Sequence, residues 1–117
     1  MRVYEMPDSA EIYDLLYRLG ATATHTGFFH VACAIRLVIQ QPERILLVTK
    51  WLYPEVAKCY KTNWLAVEQN IRRTIREIWE KDNGLLSELA GTPILIRPKP
   101  TEFIQLLANY LKPICVA

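Results

Sequence analysis

The chain has 117 residues, of which 51% are hydrophobic and 22% charged, with a formal net charge of +2. This fits one globular domain able to bury its own core, and it excludes a disordered or low-complexity chain. The near-neutral total says little about partners, but its distribution is uneven. Met1–Gly20 is net acidic, whereas between Lys61 and Arg76 the cations Lys61, Arg72, Arg73 and Arg76 face Glu68 alone.

Met1–Pro7 reads as a lead-in. Asp8-Ser9 can cap a first helix that carries Ile12, Leu15, Leu16 and Leu19 and ends at Gly20. The turn ATATHTG follows. A second helix is expected over Phe28–Gln41, with Phe29, Cys33 and Leu37 among its apolar positions. Arg36 is its one charge, which predicts a central, largely buried helix. Pro42 suits the start of the next helix, where its missing amide donor is not needed. Pro54 then interrupts a helical pattern, so a break is expected near Leu52–Tyr53, with a short helix ending at Tyr60.

Lys61–Asn63 forms a tight turn before the longest helix, 64–83, which Thr62 or Asn63 can cap. Val67, Ile71, Thr74, Ile75 and Ile78 recur at helical spacing and predict a buried face, with Trp79 beside them. Gln69, Arg72, Arg73 and Arg76 take the opposite side. Asn83-Gly84 supplies the stop. Leu85–Leu89 reads as one or two helical turns ended by Gly91. Thr92–Lys99 reads as a short strand or packed loop. Thr101 is expected to cap a last helix, Glu102–Leu111, with Phe103, Leu106, Leu107 and Tyr110 on one face and Pro113 barring its continuation. The fold class is all-α, with about six to seven helices in a single domain over 1–117.

Arg and Gln on one helix face have the geometry to read guanine and adenine edges in the major groove, and Arg also neutralises phosphate. A short helix, a turn of about three residues and a basic helix, together spanning about 54–83, make a helix-turn-helix plan. Other chemistry is poorly supported. His25 and His30 have the wrong spacing for one helix face and lack a companion cluster, so no metal or other cofactor is expected. Glu77 and Glu80 sit among arginines and suit intrahelical ion pairs. Neither a phosphate loop nor a nucleophile motif is present, so the chain does not read as an enzyme.

Cys33, Cys59 and Cys115 form no disulfide framework, and Cys59 reads as a packed thiol. The acidic N-terminal stretch is unlike a secretory signal, and no apolar run is long enough for a membrane span; the expected location is cytoplasmic. Trp51 and Trp79 suit the core. Trp64 stands at the first turn of the basic helix, as a wedge beside DNA or as a partner contact.

Four blocks, HTGFFHVACAIRLVI, TKWLYPEVAKCY, VEQNIRRTIREIW and KPTEFIQLL, give a more specific reading. Through them the chain, from about Ser9 to Leu111, resembles the C-terminal DNA-binding domains of stage zero sporulation protein A, a response regulator of endospore-forming bacteria. The resemblance implies an all-helical, winged-helix-like effector domain with the turn of its helix-turn-helix between Tyr60 and Trp64. It implies double-stranded DNA as partner, with base contacts carried by Glu68, Gln69, Arg72 and Arg73. Arg76, Lys61, Asn63 and Trp64 complete the candidate DNA-binding residues. It also implies adjacent protomers on DNA meeting through helix 102–111, and RNA polymerase as a further partner.

Departures from the family pattern are visible. Gln69 stands where an arginine is usual, and Trp64, Leu65 and Ala66 replace smaller or polar residues. No phosphoacceptor receiver domain precedes the helices, so the sequence is either a piece of a longer protein or a stand-alone homologue. The alternative function is a protein-interaction module that kept the fold, lost strong operator binding and modulates a full-length relative.

Overall fold

A computed structural model describes residues 9–81 and 84–112. The expectations resting on Met1–Pro7, Asp8, Asn83, Pro113 and Cys115 lie outside the described residues. Six α-helices follow in order: α1 Ser9–Leu19, α2 Thr26–Gln40, α3 Tyr53–Tyr60, α4 Trp64–Lys81, α5 Leu85–Ala90 and α6 Pro100–Leu111. No strand occurs among the described residues, so no β-wing flanks the helix-turn-helix there; residues 92–99 form an irregular connection.

Helix α2 is the hub. It packs against α1, α3, α4 and α6, and Phe28, Val31, Ala34 and Ile35 are fully buried within it. The expectation of a central, largely buried helix therefore holds, although not every apolar position is fully buried. Phe29, Cys33 and Leu37 are only half-buried, at the margins of the packed arc. A helix with neighbours on several sides buries an arc too wide for one stripe to describe, and Ala32 and Ala34 fill it without bulk. The single charge, Arg36, leaves the core by donating from Nη2 to Ser9 Oγ on α1 at 2.9 Å.

Helix α2 starts at Thr26, two residues before the expected Phe28, and Gly27 lies in its first turn against α4. An added Cβ at Gly27 would overlap Thr74 Oγ1 and the Asn70 carbonyl oxygen. The two helices thus touch almost backbone to backbone.

The proline-bounded segment departs from a regular helix. Pro42–Leu47 is a 3-10 helix and Val48–Leu52 a single π turn, after which α3 begins at Tyr53 with Pro54 in its first turn. The expected break at Leu52–Tyr53 is a change of helical pitch; the chain stays right-handed helical through Leu52. At α6 the start is Pro100, so Thr101 lies inside the first turn. The Lys99 amide donates to Glu102 Oε1 at 2.9 Å and the Phe103 amide to the Lys99 carbonyl at 2.9 Å. Phe103, Ile104, Leu107 and Ala108 face the core, while Tyr110 is exposed because it falls outside that arc.

Two polar features accompany the core, one inside it and one at its edge. His30 is 1% exposed, with neither ring nitrogen bonded, and burial lowers its pKa below the ordinary histidine value. Its ring lies 5.1 Å from that of Tyr60. Nearby, the fold brings Cys33 and Cys59 together from α2 and α3. Burial, and then the neighbouring Cys59, pushes the Cys33 thiol up to about 12. Cys59 itself is exposed, unlike the packed thiol expected from its surroundings in sequence.

Among the described residues no group of His, Cys, Asp and Glu side chains could hold a metal ion. No helix there is long and apolar enough to cross a membrane.

Candidate nucleic-acid interface

Helix α3 supplies the first half of the helix-turn-helix. Tyr53, Val56 and Ala57 bury its inner side. Its outer side is braced by a network centred on Glu55, to which Arg44 Nη2 comes within 3.0 Å and Trp51 Nε1 donates at 2.6 Å. Arg44 Nη1 also donates to the Leu37 carbonyl at 2.8 Å, and its guanidinium lies 5.7 Å from the Trp51 ring centroid. Trp51 is thus half-buried rather than in the core, because its indole N–H needs a partner and finds one a helical turn away.

The turn is made by Lys61, whose φ of 54° and ψ of 48° place it in the left-handed region. The Lys61 amide donates to the Ala57 carbonyl, as does that of Thr62 at 3.0 Å, closing the end of α3. A non-glycine residue in this conformation costs about 1–2 kcal/mol, a cost that the packing of α3 and α4 against the core must offset. Of the two candidate caps, Asn63 acts: its Oδ1 accepts from the Ala66 amide at 2.9 Å, and its carbonyl from Val67 at 3.1 Å.

Helix α4 then runs for 18 residues, about 27 Å at 1.5 Å per residue. Val67, Ile71, Thr74, Ile75 and Ile78 are buried, as the periodicity predicts. Trp79 is not; it lies one residue beyond the stripe, half-buried beside Ile94 and Leu95. On the outward side Gln69, Arg72, Arg73 and Arg76 are all exposed. Arg72 Nη2 donates to Glu68 Oε2 at 3.2 Å, where the two side chains are 59% and 22% exposed. Such a pair is worth only about 0.2–0.5 kcal/mol, so the guanidinium is readily redirected. Burial, and then the Glu68 charge, raises the Tyr53 hydroxyl to about 12, which keeps this neighbour neutral.

Arg73 and Arg76 form a ridge between two clefts. One, about 300 Å³, is bordered by His25, Glu77, Glu80 and Lys81. Its charges largely serve the fold: Thr22 Oγ1 donates to Glu77 Oε2 at 3.5 Å, His25 Nε2 lies 3.9 Å from the same oxygen, and Lys81 Nζ donates to the Gly20 carbonyl at 2.8 Å. Glu77 therefore ties α4 to the α1–α2 turn instead of pairing with an arginine of its own helix. The other cleft, about 270 Å³, lies between the arginines of α4 and Arg97, Pro98 and Pro100. The approach of Arg97 is invisible to periodicity, since it belongs to an irregular connection.

The remaining candidate residues cluster at the head of α4. Lys61, Asn63 and Trp64 are exposed, with Trp64 at 43% and its neighbour Leu65 at 47%. The Asn63 side chain is occupied as the cap, leaving Lys61 and Trp64 free to face a partner. The resulting arrangement is a basic outward face along α4, an apolar rim at its start and an arginine-lined cleft on one flank.

Residues 12–111 match the family described as the sporulation initiation factor Spo0A C terminal. The chain belongs to that family, a family of DNA-binding regulatory domains acting in sporulation initiation.

Proposed function

We propose that the protein is a sequence-specific DNA-binding regulator of transcription that reads the major groove with α4. One observation carries this reading: a short helix, a left-handed turn at Lys61 and a capped helix present Gln69, Arg72, Arg73 and Arg76 together, opposite a fully buried stripe. Arg72 reads a guanine edge, Gln69 an adjacent base and Arg76 a phosphate. Glu68 and Arg73 border the same bases. Lys61 and Trp64 meet the sugar-phosphate backbone at the head of the helix, and Asn63 contributes by holding the first turn. Selection of bound duplexes from random DNA, repeated at two salt concentrations, tests this. A common sequence should emerge and persist at the higher salt; recovery of unrelated sequences would contradict it.

Protomers on neighbouring sites would meet through α6, where Gln105, Asn109 and Tyr110 are exposed, and RNA polymerase would be a further partner. Sedimentation on a two-site duplex should show more protein per DNA than independent binding allows, and strictly independent occupancy would remove this part. The alternative, a protein-interaction module without strong operator binding, would use the exposed Trp64–Leu65 rim. Absence of binding to any duplex at low salt would select that alternative.

A further inference from the structure

The flank of α4 that faces residues 97–100 borders the base-reading residues and brings a fourth arginine, from outside the helix, up to those of α4. Its cleft of about 270 Å³ is lined by Arg72, Arg73, Arg76 and Arg97, with no acidic side chain among the described lining residues. Among the described residues, none accepts a hydrogen bond or ion pair from Arg97. Arg72 is paired with Glu68, but Arg73, Arg76 and Arg97 leave the recess net positive, and an anion coordinated by several of them relieves their mutual repulsion.

The backbone carrying Arg97 is held in place before any ligand arrives. Arg97 precedes Pro98 and Lys99 precedes Pro100, so both are restricted to extended conformations; Lys99 has φ −72° and ψ 157°. Pro98 is half-buried and Pro100 buried. Upstream, the Ile94 amide donates to Ser87 Oγ at 3.0 Å, and downstream the Lys99 amide is held by Glu102. The flanking backbone of Arg97 is therefore partly ordered beside α4 before binding, which lowers the ordering penalty.

The dimensions of DNA identify the anion. A major groove about 12 Å wide accepts a helix about 10–12 Å across, so the flanks of such a helix run beside the two sugar-phosphate walls. We infer that the cleft between α4 and residues 97–100 seats a backbone phosphate of the bound duplex, and that Arg97 clamps it from outside the helix-turn-helix. The inference rests on the DNA-binding reading and adds to it a residue that fixes register and carries no base information.

The test compares the full chain with its Arg97→Ala and Arg97→Lys variants, by fluorescence anisotropy on a mixed-sequence duplex over a range of salt. Arg97→Ala should lower the slope of log affinity against log salt by about one, and Arg97→Lys should keep the parental slope. The same change should be found on any duplex the protein selects. Equal thermal midpoints for the three proteins separate a lost contact from a lost fold. A parental slope in Arg97→Ala, or a loss confined to one base pair of the selected duplex, would overturn the inference while leaving the reading of α4 intact. Failure of the parent itself to bind at low salt would overturn both, so the two failures are distinguishable.

Discussion

Replacing Gly27 by alanine tests whether the position of α4 is set by its close crossing with α2. The new methyl group would overlap Thr74 Oγ1 and the Asn70 carbonyl oxygen. Asn70 presents backbone, so no side-chain rotation relieves that clash. Thr74 Oγ1 is tied to the same carbonyl at 3.0 Å, which leaves it little freedom to turn away. The helices must separate or slide, and overpacking of this kind costs about 3 kcal/mol. The unfolding entropy of a chain of 117 residues is about 0.25 kcal/mol/K, so the melting temperature should fall by about 12 °C. Alanine's better helix propensity works in the opposite direction by at most about 1 kcal/mol. Thermal unfolding followed by circular dichroism measures the shift. A fall below about 3 °C would refute the reasoning, because it would mean that α2 and α4 can move apart freely and that Gly27 does not set the crossing.

Removing the cap with Asn63→Ala deprives the Ala66 amide of its partner and should cost about 1 kcal/mol in chemical denaturation; an unchanged midpoint would mean that water replaces the side chain without loss. Burial holds the His30 pKa below its ordinary value, so as pH falls through about 6.5 the unfolded chain gains a proton that the folded chain refuses, and stability should drop. The apolar variant His30→Leu should lose that dependence and, by removing two unbonded ring nitrogens, be no less stable at neutral pH. A pH profile identical in parent and variant would contradict this. Arg44→Ala breaks the brace that joins Glu55, Trp51 and the Leu37 carbonyl and should cost about 1–3 kcal/mol, read from urea unfolding; a near-neutral result would show that α3 is held by its buried side alone.

The sequence spoke most clearly where one face of a helix is wet. The buried positions of α4 and the core positions Ile12, Leu15, Leu16 and Leu19 of α1 follow the periodicity, because a two-sided helix must segregate its residues. Helix α2 has no such contrast, so its apolar residues marked it as buried without telling the fully buried Phe28, Val31 and Ile35 from the half-buried Phe29 and Leu37. Proline marked the segment 42–54 as irregular but could not specify a 3-10 helix followed by a π turn, alongside which Arg44 and Trp51 meet Glu55. Lys61 carried no sign of its left-handed backbone, since glycine is the usual marker. At the candidate site, the outward set of Gln69, Arg72, Arg73 and Arg76 was legible from spacing and their shared face. The approach of Arg97 was not, because a loop's proximity to a helix is a property of the assembled core. The same limit applies to Cys33 and Cys59, distant in sequence and joined only by the packing of α3 on α2.

The central claim is that α4 divides its labour between bases and phosphates, and one comparison tests it most directly. Affinities of the parent, Arg72→Ala and Arg76→Ala are measured on the selected duplex, on its single-base variants and on mixed-sequence DNA. Arg72→Ala should lose about 1–3 kcal/mol on the selected duplex and with it the preference at one base pair. Arg76→Ala should weaken binding to every duplex alike and lower the salt slope by about one. Equal losses for both variants on selected and mixed-sequence DNA would contradict the claim, leaving electrostatic attraction without reading.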